Sequence, residues 1–511
     1  MGSKQEIGNM GRFQRLLAHV ERAGNALPHP AVLFLLLSAV VVLVSAIFAS
    51  MGIEAVHPVK NEPVRVLNLL SAAGMQLILT DMVKNFSGFA PLGTVLVAML
   101  GFSVAEKSGL IPALMRLLVL KSPKPLLIPA ILLAGVLSHT AGDVGYVLLI
   151  PLAGMAFHSA GLNPIAGIAV CFAGVSGGFA ANFLLSTADP LLSGLSQEAA
   201  RIIDPKYVVT PVANYYFMAT SSLLIVVLGT IVALKITIPF AGEYKGDAAK
   251  DEMKPLTPDE RRGLLGSALI AVLLAVFFVA GSADESGFLR DGKSDIFHSP
   301  VLKGVVAIVF LMGSLTGLGY GYLSKKFKNH GDVVNAMQDA MTTMAPYLVL
   351  VFFASQFIAL FNASNVGLVL AIKGSAALKA TGLGIMPLMF GFIILTCLLD
   401  LVIGSASAKW ALMAPVVVPM FMLLGISPEL TQTAYRIADS VVNIISPLMS
   451  YFPLILAMII RYDRQAKVGT LLALMLPYSL TFLLFWTAML LLWIAFGLPV
   501  GPGAPLAYPP A

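Results

Sequence analysis

Apolar residues run through this chain in long unbroken stretches, without the alternation of a half-buried strand. Runs of about 20 apolar residues or more occupy 31–52, 212–240, 262–281, 300–324, 383–403 and 469–497. A helix of that length crosses the hydrocarbon core of a bilayer, so each run predicts a membrane span. Further spans are expected near 89–105, 124–137, 164–181, 345–361 and 434–460, which are shorter or carry polar residues, and some of these should be half-helices. A different pattern covers 331–344, where Val334, Met337 and Met341 recur at helical spacing and Asp332, Gln338 and Asp339 fall elsewhere. That is an amphipathic helix at the membrane interface, and 68–86, with Asp81 and Lys84, is its candidate counterpart.

Two polar interruptions share a signature. Leu137-Ser138-His139-Thr140-Ala141 leads to Tyr146 and Pro151, and Gly404-Ser405-Ala406-Ser407-Ala408 leads to Trp410 and Pro415. Hydroxyls, small residues and a following proline let a backbone leave the helix at membrane depth and offer oxygens to a ligand, and a paired occurrence points to a transporter core. The first is followed by a span from Asn163 to Asn182 and then Ser186-Thr187-Ala188-Asp189-Pro190-Leu191-Leu192-Ser193; the second by Asn443-Ile444-Ile445-Ser446-Pro447-Leu448-Met449-Ser450. The shared ending predicts a duplication, of a hand the sequence does not give. The expected organisation is a cytoplasmic lead-in (1–30), a first transmembrane half (31–240), a charged cytoplasmic linker (241–262), a second half (263–497) and a periplasmic tail (498–511).

Composition agrees with a polytopic membrane protein: 58% of 511 residues are hydrophobic and 11% charged, with mean hydropathy +0.89, which leaves too little polar surface for a soluble globule. The net charge of +6 concentrates at span edges, at Arg12, Arg15 and Arg22, at Lys121 and Lys124, in the 241–263 loop, at Lys325-Lys326-Phe327-Lys328, and at Arg461, Arg464 and Lys467. By the positive-inside rule these edges face the cytoplasm, so the basic charge orients the chain and gives no argument for nucleic acid. The loops 53–66, 201–211 and 282–299 and the uncharged C-terminal tail are assigned outside. N-in and C-out require an odd number of crossings, and about nine are expected. Cys171 and Cys397 lie in apolar surroundings without CxxC spacing and read as small core residues. The polar N-terminal segment lacks a small-residue cleavage pattern and reads as a lead-in, not a signal peptide.

Acids inside spans are costly and therefore mark function. Asp143, Asp189, Asp400 and Asp439 lie in or beside the duplicated regions, with Arg436 near them; Glu106 and Lys107 read as a boundary pair. Arg436, Asp439, Asn443 and Pro447 share one face of the helix starting near Thr433. Arg436 and Asp439 can pair with each other as a fixed brace; alternatively, Arg436 clamps a substrate carboxylate and leaves Asp439 for a proton or sodium ion. Asp189 reads either as a ligand at a broken-helix tip or as the N-cap of the next helix. Ser405 and Ser407 suit either close helix packing or a site. Trp410 suits either the interfacial belt or stacking on an aromatic ring. Ser138, His139, Thr140 and Asn182 are secondary candidates, and a sodium ion is conceivable near Ser407, Asp439 and Asn443. No HExxH occurs and the seven histidines are scattered, which argues against a membrane hydrolase. Saturable transport driven by an ion gradient would exclude a channel.

The strings Gly404-Ser405-Ala406-Ser407-Ala408-Lys409-Trp410-Ala411, Ala414-Pro415 through Leu423, and Ala434-Tyr435-Arg436-Ile437-Ala438-Asp439-Ser440 closely resemble the p-aminobenzoyl-glutamate transporter (AbgT) family. The likeness runs nearly end to end, through Lys84-Asn85-Phe86, Gly88 to Gly93, Ala105 to Leu110, Ala173 to Gly178, Asp189 to Leu192 and Gly497 to Gly503. It implies a homodimer in the bacterial inner membrane with a cytoplasm-facing basin. Each all-α subunit would have about nine transmembrane helices and two re-entrant hairpins, in an ion-transporter-like architecture. The first hairpin is expected to turn near Ser138–Asp143 and the second near Asn365–Lys379 or at the Ser405 break. The resemblance implies transport of p-aminobenzoyl-glutamate, a folate breakdown product, and export of sulfonamide antimetabolites sharing its aniline ring. The family's functional positions match Asp189, Ser407, Trp410, Arg436, Asp439 and Pro447. Some relatives resemble a Ser-Asn-Thr tip where this chain has Ser138-His139-Thr140, and several carry Asn where it has Asp400, so the ion coupling is open to change. No cofactor is expected; the coupling ion is a proton, sodium or both. The favoured expectation is efflux with proton exchange, the alternative sodium-driven import of p-aminobenzoyl-glutamate.

Overall fold

The computed structural model describes residues 28–56, 62–120, 122–141, 145–244, 246, 255–284, 286–290 and 299–509. Asp143, most of the lead-in, much of the 241–262 linker and the last two residues of the tail lie outside them.

The long apolar runs form helices that start where the sequence supplies a cap. α1 (Pro30–Ser50) opens on a proline, with His29 Nδ1 accepting from the Ala31 N–H. A two-stranded antiparallel hairpin, β1 (Glu54–Val56) and β2 (Pro63–Arg65), follows in a segment read from sequence as a loop. Its Glu54 and Arg65 face each other across the ladder and pair at 3.1 Å. α2 (Ala72–Ser87) and α3 (Ala90–Lys107) come next, then α4 (Leu110–Leu120) and α5 (Leu127–Leu137), α5 running into a 3-10 turn at Ser138–Ala141. A π turn at Gly145–Leu149 opens α6 (Ile150–Ser159), and α7 (Pro164–Phe172) runs into another at Ala173–Gly177. α8 (Ala188–Ala200), α9 (Tyr215–Val232) and the short α10 (Ile238–Ala241) complete the first half.

The second half comprises α11 (Pro258–Ser282), α12 (Pro300–Lys303), α13 (Val305–Leu323), α14 (His330–Thr343), α15 (Ala345–Ala363), α16 (Val366–Ala380), α17 (Ile385–Asp400), α18 (Ala406–Met422), α19 (Pro428–Asn443), α20 (Phe452–Ile460) and α21 (Val468–Ala495). Capping boxes start α11, from Thr257 and Glu260, and α14, from Asn329 and Asp332. α14 is the amphipathic helix expected at 331–344, and α2 its expected counterpart.

The order of elements repeats. α5, a hydroxyl-bearing break, α6, an Asn163-Pro164 start, α7, a break at 178–187 and α8 correspond to α17, a break at 401–405, α18, a Ser427-Pro428 start, α19, a break at 444–451 and α20. α16 and α17 meet at 120° across exposed residues 381–384. The sharp turn expected near Asn365–Lys379 falls just past that stretch, at 381–384, because 366–380 is continuous helix; the alternative break at Ser405 is also present. The span read at 434–460 is likewise two helices, because Pro447 cannot continue the ladder and the chain leaves the helix around it.

Seven helical stretches among the described residues are long and apolar enough to cross a membrane, or eight if the bent pair counts as one. The difference from nine expected crossings lies in short apolar helices such as 145–159, 164–177 and 406–422. In the interior α8 packs on α18 and α19, and α17 and α21 close on α19. Around them, α3 and α13 pack so closely that a Cβ on Gly101 would lie 2.5 Å from Phe310 Cα and one on Gly317 2.6 Å from Ala105 N. Small residues permit that approach.

Candidate functional site

α19 is buried along all of Pro428–Asn443 although half of its residues are polar. A helix interior to the bundle can carry such side chains only if each finds a partner. Gln432 accepts from Ser196 Oγ at 2.6 Å and donates to Asn214 Oδ1 at 2.7 Å. Asn214 in turn donates to the Glu429 carbonyl and to Thr433 Oγ1, at 2.9 and 2.8 Å. Tyr207 donates to Glu429 Oε2 at 3.0 Å. Ser440 Oγ donates to the Arg436 carbonyl at 2.8 Å and accepts the Ala180 N–H at 3.0 Å, tying the 178–187 break to this helix.

The charges on α19 pair outward. Arg436 Nη1 lies 2.6 Å from Asp189 Oδ1 on α8, and Asp439 Oδ1 lies 2.9 Å from Lys409 Nζ on α18. Lys409 also pairs with Asp400 at the end of α17. Arg436 and Asp439 thus do not brace each other: although they share a face of α19, Asp189 of α8 engages the one and Lys409 of α18 the other. Nor is Asp189 an N-cap: it sits in the first turn of α8, where Oδ2 accepts the Ser186 N–H at 2.5 Å and Ser186 Oγ at 2.8 Å. One carboxylate thereby holds the end of the 178–187 break and the arginine together.

Trp410 is neither at an interface nor open to a ligand. It is fully buried; its indole N–H is shared between Ser196 Oγ at 3.0 Å and the Leu192 carbonyl at 3.3 Å, and its ring lies 4.4 Å from that of Tyr435. Tyr435 donates to the Ala406 carbonyl at 2.5 Å, clamping the first turn of α18.

Beside these pairs a cavity of about 250 Å³ opens between the breaks, lined by His139, Tyr146, Phe179, Ser186, Thr187, Ala188, Gly404, Ala406, Asn443, Met449, Ser450 and Tyr451. Tyr146 and Tyr451 stack with centroids 4.3 Å apart and planes 7° from parallel. His139 packs edge-on against Phe179 at 4.8 Å, and its Nε2 has no hydrogen-bond partner among the described residues.

Of the residues singled out from sequence, His139 and Asn443 line the cavity. Ser138 and Thr140 turn their hydroxyls back to the Gly135 and Leu137 carbonyls, at 2.6 and 2.9 Å. Ser405 caps α18 and lies 3.4 Å from Ser407 Oγ. Asn182 and Asp189 line a separate narrow crevice with Arg436, and Pro447 marks the 444–451 break. Asp439, considered for a sodium ion with Ser407 and Asn443, is engaged by Lys409.

Lys409, Tyr146 and Tyr451 belong to the site without having been among the residues singled out from sequence. Lys409 is the sole cation in the apolar stretch 404–422, a signal equal to that of the acids. The tyrosines carried no such signal, since aromatic residues are common throughout.

Residues 15–508 match the AbgT putative transporter family. The chain is 37% identical over 502 residues to the p-aminobenzoyl-glutamate transport protein of Escherichia coli (strain K12), covering 98% of this chain and 99% of that protein. It resembles the crystal structure of the Alcanivorax borkumensis YdaH transporter, at 45% identity and TM-score 0.89 over 93% of this chain and all of that one. It also resembles Neisseria gonorrhoeae MtrF, described as illuminating a class of antimetabolite efflux pumps, at 46% identity and TM-score 0.91 over 96% of this chain and all of the other.

Proposed function

The chain belongs to the AbgT transporter family, and from that premise we propose that it is a proton-coupled secondary transporter exporting sulfonamide-type antimetabolites, with p-aminobenzoyl-glutamate as a further cargo. It is a multi-pass membrane transporter and not an enzyme. The rest of the reading is ours: a homodimer in the bacterial inner membrane, N-terminus in the cytoplasm and C-terminus in the periplasm.

The observation that carries the substrate class is the cavity between the broken segments. Two stacked tyrosines and Phe179 offer flat surface for an aromatic ring and Met449 further apolar surface, while Asn443 and Thr187 add polar groups to the lining. In this proposal the substrate ring takes the place of one tyrosine against the other. The role first considered for Trp410 passes to Tyr146 and Tyr451, because Trp410 is sealed behind Tyr435. Arg436 is held by Asp189, so it positions the 178–187 break against α19 and meets a substrate anion only when that pair opens.

The test is flux of radiolabelled sulfonamide and p-aminobenzoyl-glutamate in proteoliposomes, with pH and sodium gradients imposed separately, for wild type and Asp439→Ala. Efflux that follows the pH gradient and is lost in the variant supports the proposal. Uptake of p-aminobenzoyl-glutamate on a sodium gradient would make the protein an importer instead, and no movement of either compound would defeat the substrate assignment.

A further inference from the structure

Among the described residues Lys409 is the most deeply buried cation, its side chain 0% exposed, and two acids from different helices close on it. Asp400 ends α17 and Asp439 lies on α19; their side chains are 0% and 2% exposed. Two carboxylates facing each other without water repel strongly unless a positive charge stands between them. Their oxygens, with the Ala406 carbonyl and the Tyr435 hydroxyl beside them, are the hard donors an alkali cation takes. The position is occupied by an ammonium carried on the chain itself.

We propose that the Lys409 ammonium is a tethered cation that fills the site between Asp400 and Asp439 and so excludes sodium from it. This deepens the ion-coupled transporter reading above and rests on it. The other titratable groups around the ammonium do not supply a competing charge. Cys397 of α17 is neutral as a thiol, and the Tyr435 ring lies 5.5 Å from Nζ, where it favours a cation. On α8, Asp189 is taken by Arg436 and Glu198 by Arg201. On α16, Lys373 and Lys379 are exposed, and α15 carries no charged residue.

The location makes the device useful to a transporter. Lys409 stands one turn into α18, three residues beyond Ala406, which lines the cavity with Gly404. Its long stem lets the charge stay between the acids while α18 shifts against α17 and α19, which a bound ion of fixed coordination could not do without being released.

The experiment follows thermal unfolding of the purified detergent-solubilised protein in sodium chloride and in choline chloride at equal ionic strength. It compares wild type, Lys409→Met and the double variant Lys409→Met/Asp400→Asn. The double variant keeps the local charge of the wild-type trio at −1, since one carboxylate alone matches two carboxylates and one ammonium. Wild type is expected to unfold at the same temperature in both salts, and the lysine variants to gain several degrees in sodium. A sodium-dependent shift in wild type, or folded lysine variants that ignore sodium, overturns the proposal. Should neither variant fold, radioactive sodium binding to wild type decides: stoichiometric binding displaced by no other cation overturns the tethered-cation assignment, and absence of binding supports it. None of these readouts needs a substrate, so failure of sulfonamide flux would defeat the substrate assignment, whereas failure here is read separately in the sodium dependence of unfolding.

Discussion

At the residue scale, the interior is organised by which charge finds which partner. Asp189 and Arg436 sit in different halves of the chain, at 9% and 3% side-chain exposure, so neither can return to water when the other is removed. Arg436→Ala leaves a buried carboxylate alone and is expected to lower stability by about 3–5 kcal/mol, read as a lower unfolding temperature in detergent; Asp189→Asn/Arg436→Gln, which removes both charges, should recover most of it. Trp410→Phe keeps the ring stack on Tyr435 but loses the donor to Ser196 and the Leu192 carbonyl. The expected cost is about 1–3 kcal/mol, for acceptors left unsatisfied. Substrate affinity should change little, because the indole does not line the cavity. A large loss of affinity with unchanged stability would return Trp410 to the binding site.

At the element scale, helix starts and helix contacts carry the predictions. Asp332 begins α14 and accepts the backbone N–H groups of Lys328 and Asn329, at 2.6 and 3.2 Å, and these bonds hold its carboxyl below the usual aspartate range. The ionised carboxylate accepts both bonds more strongly than the protonated one. The contribution is therefore complete above the ordinary value of about 3.9 and is lost as pH falls through the depressed one. Hydrogen exchange at Lys328 and Asn329, corrected for its intrinsic pH dependence, should stay slow from neutral to mildly acidic pH and quicken in Asp332→Asn. The α3–α13 contact depends on having no Cβ at Gly317, where one would meet the backbone of Ala105. Gly317→Val should cost about 1–3 kcal/mol through overpacking, again measured by unfolding in detergent.

At the scale of the whole molecule, the two halves complete each other. α8 of the first half packs on α18 and α19 of the second, and the Asp189–Arg436 pair, the Ser440–Ala180 bond and the Tyr146–Tyr451 stack all cross between halves. Fragments 1–246 and 255–511 expressed together should co-purify and transport, whereas either alone should be degraded, since each would expose half of a polar interior to lipid. Independent stability of one fragment, seen by size-exclusion chromatography, would contradict this interdependence. The stacked Tyr146 and Tyr451 line the cavity, so Tyr451→Ala should widen it and raise the KM for aromatic cargo in the flux assay.

Much of the architecture was legible in the order of residues. Apolar runs longer than the bilayer can only be helices across it, because a backbone in hydrocarbon must satisfy its own hydrogen bonds. The hydroxyl-rich breaks at Ser138 and Ser405, the amphipathic α14 and the repeated order of elements announced themselves in the same way, and so did the family likeness. The partners of the charges were not legible. Spacing on α19 put Arg436 and Asp439 on one face, yet a face is shared with every helix packed around it, and which carboxylate lies opposite depends on contacts more than 200 residues apart, such as Asp189 with Arg436. Only the assembled bundle brought Lys409 between Asp400 and Asp439, withdrew Trp410 behind Tyr435, and set Tyr146 against Tyr451. Local sequence governs where a helix begins and breaks, because those events are settled within a few residues; the electrostatics of the interior are settled by neighbours that meet only when the chain has folded.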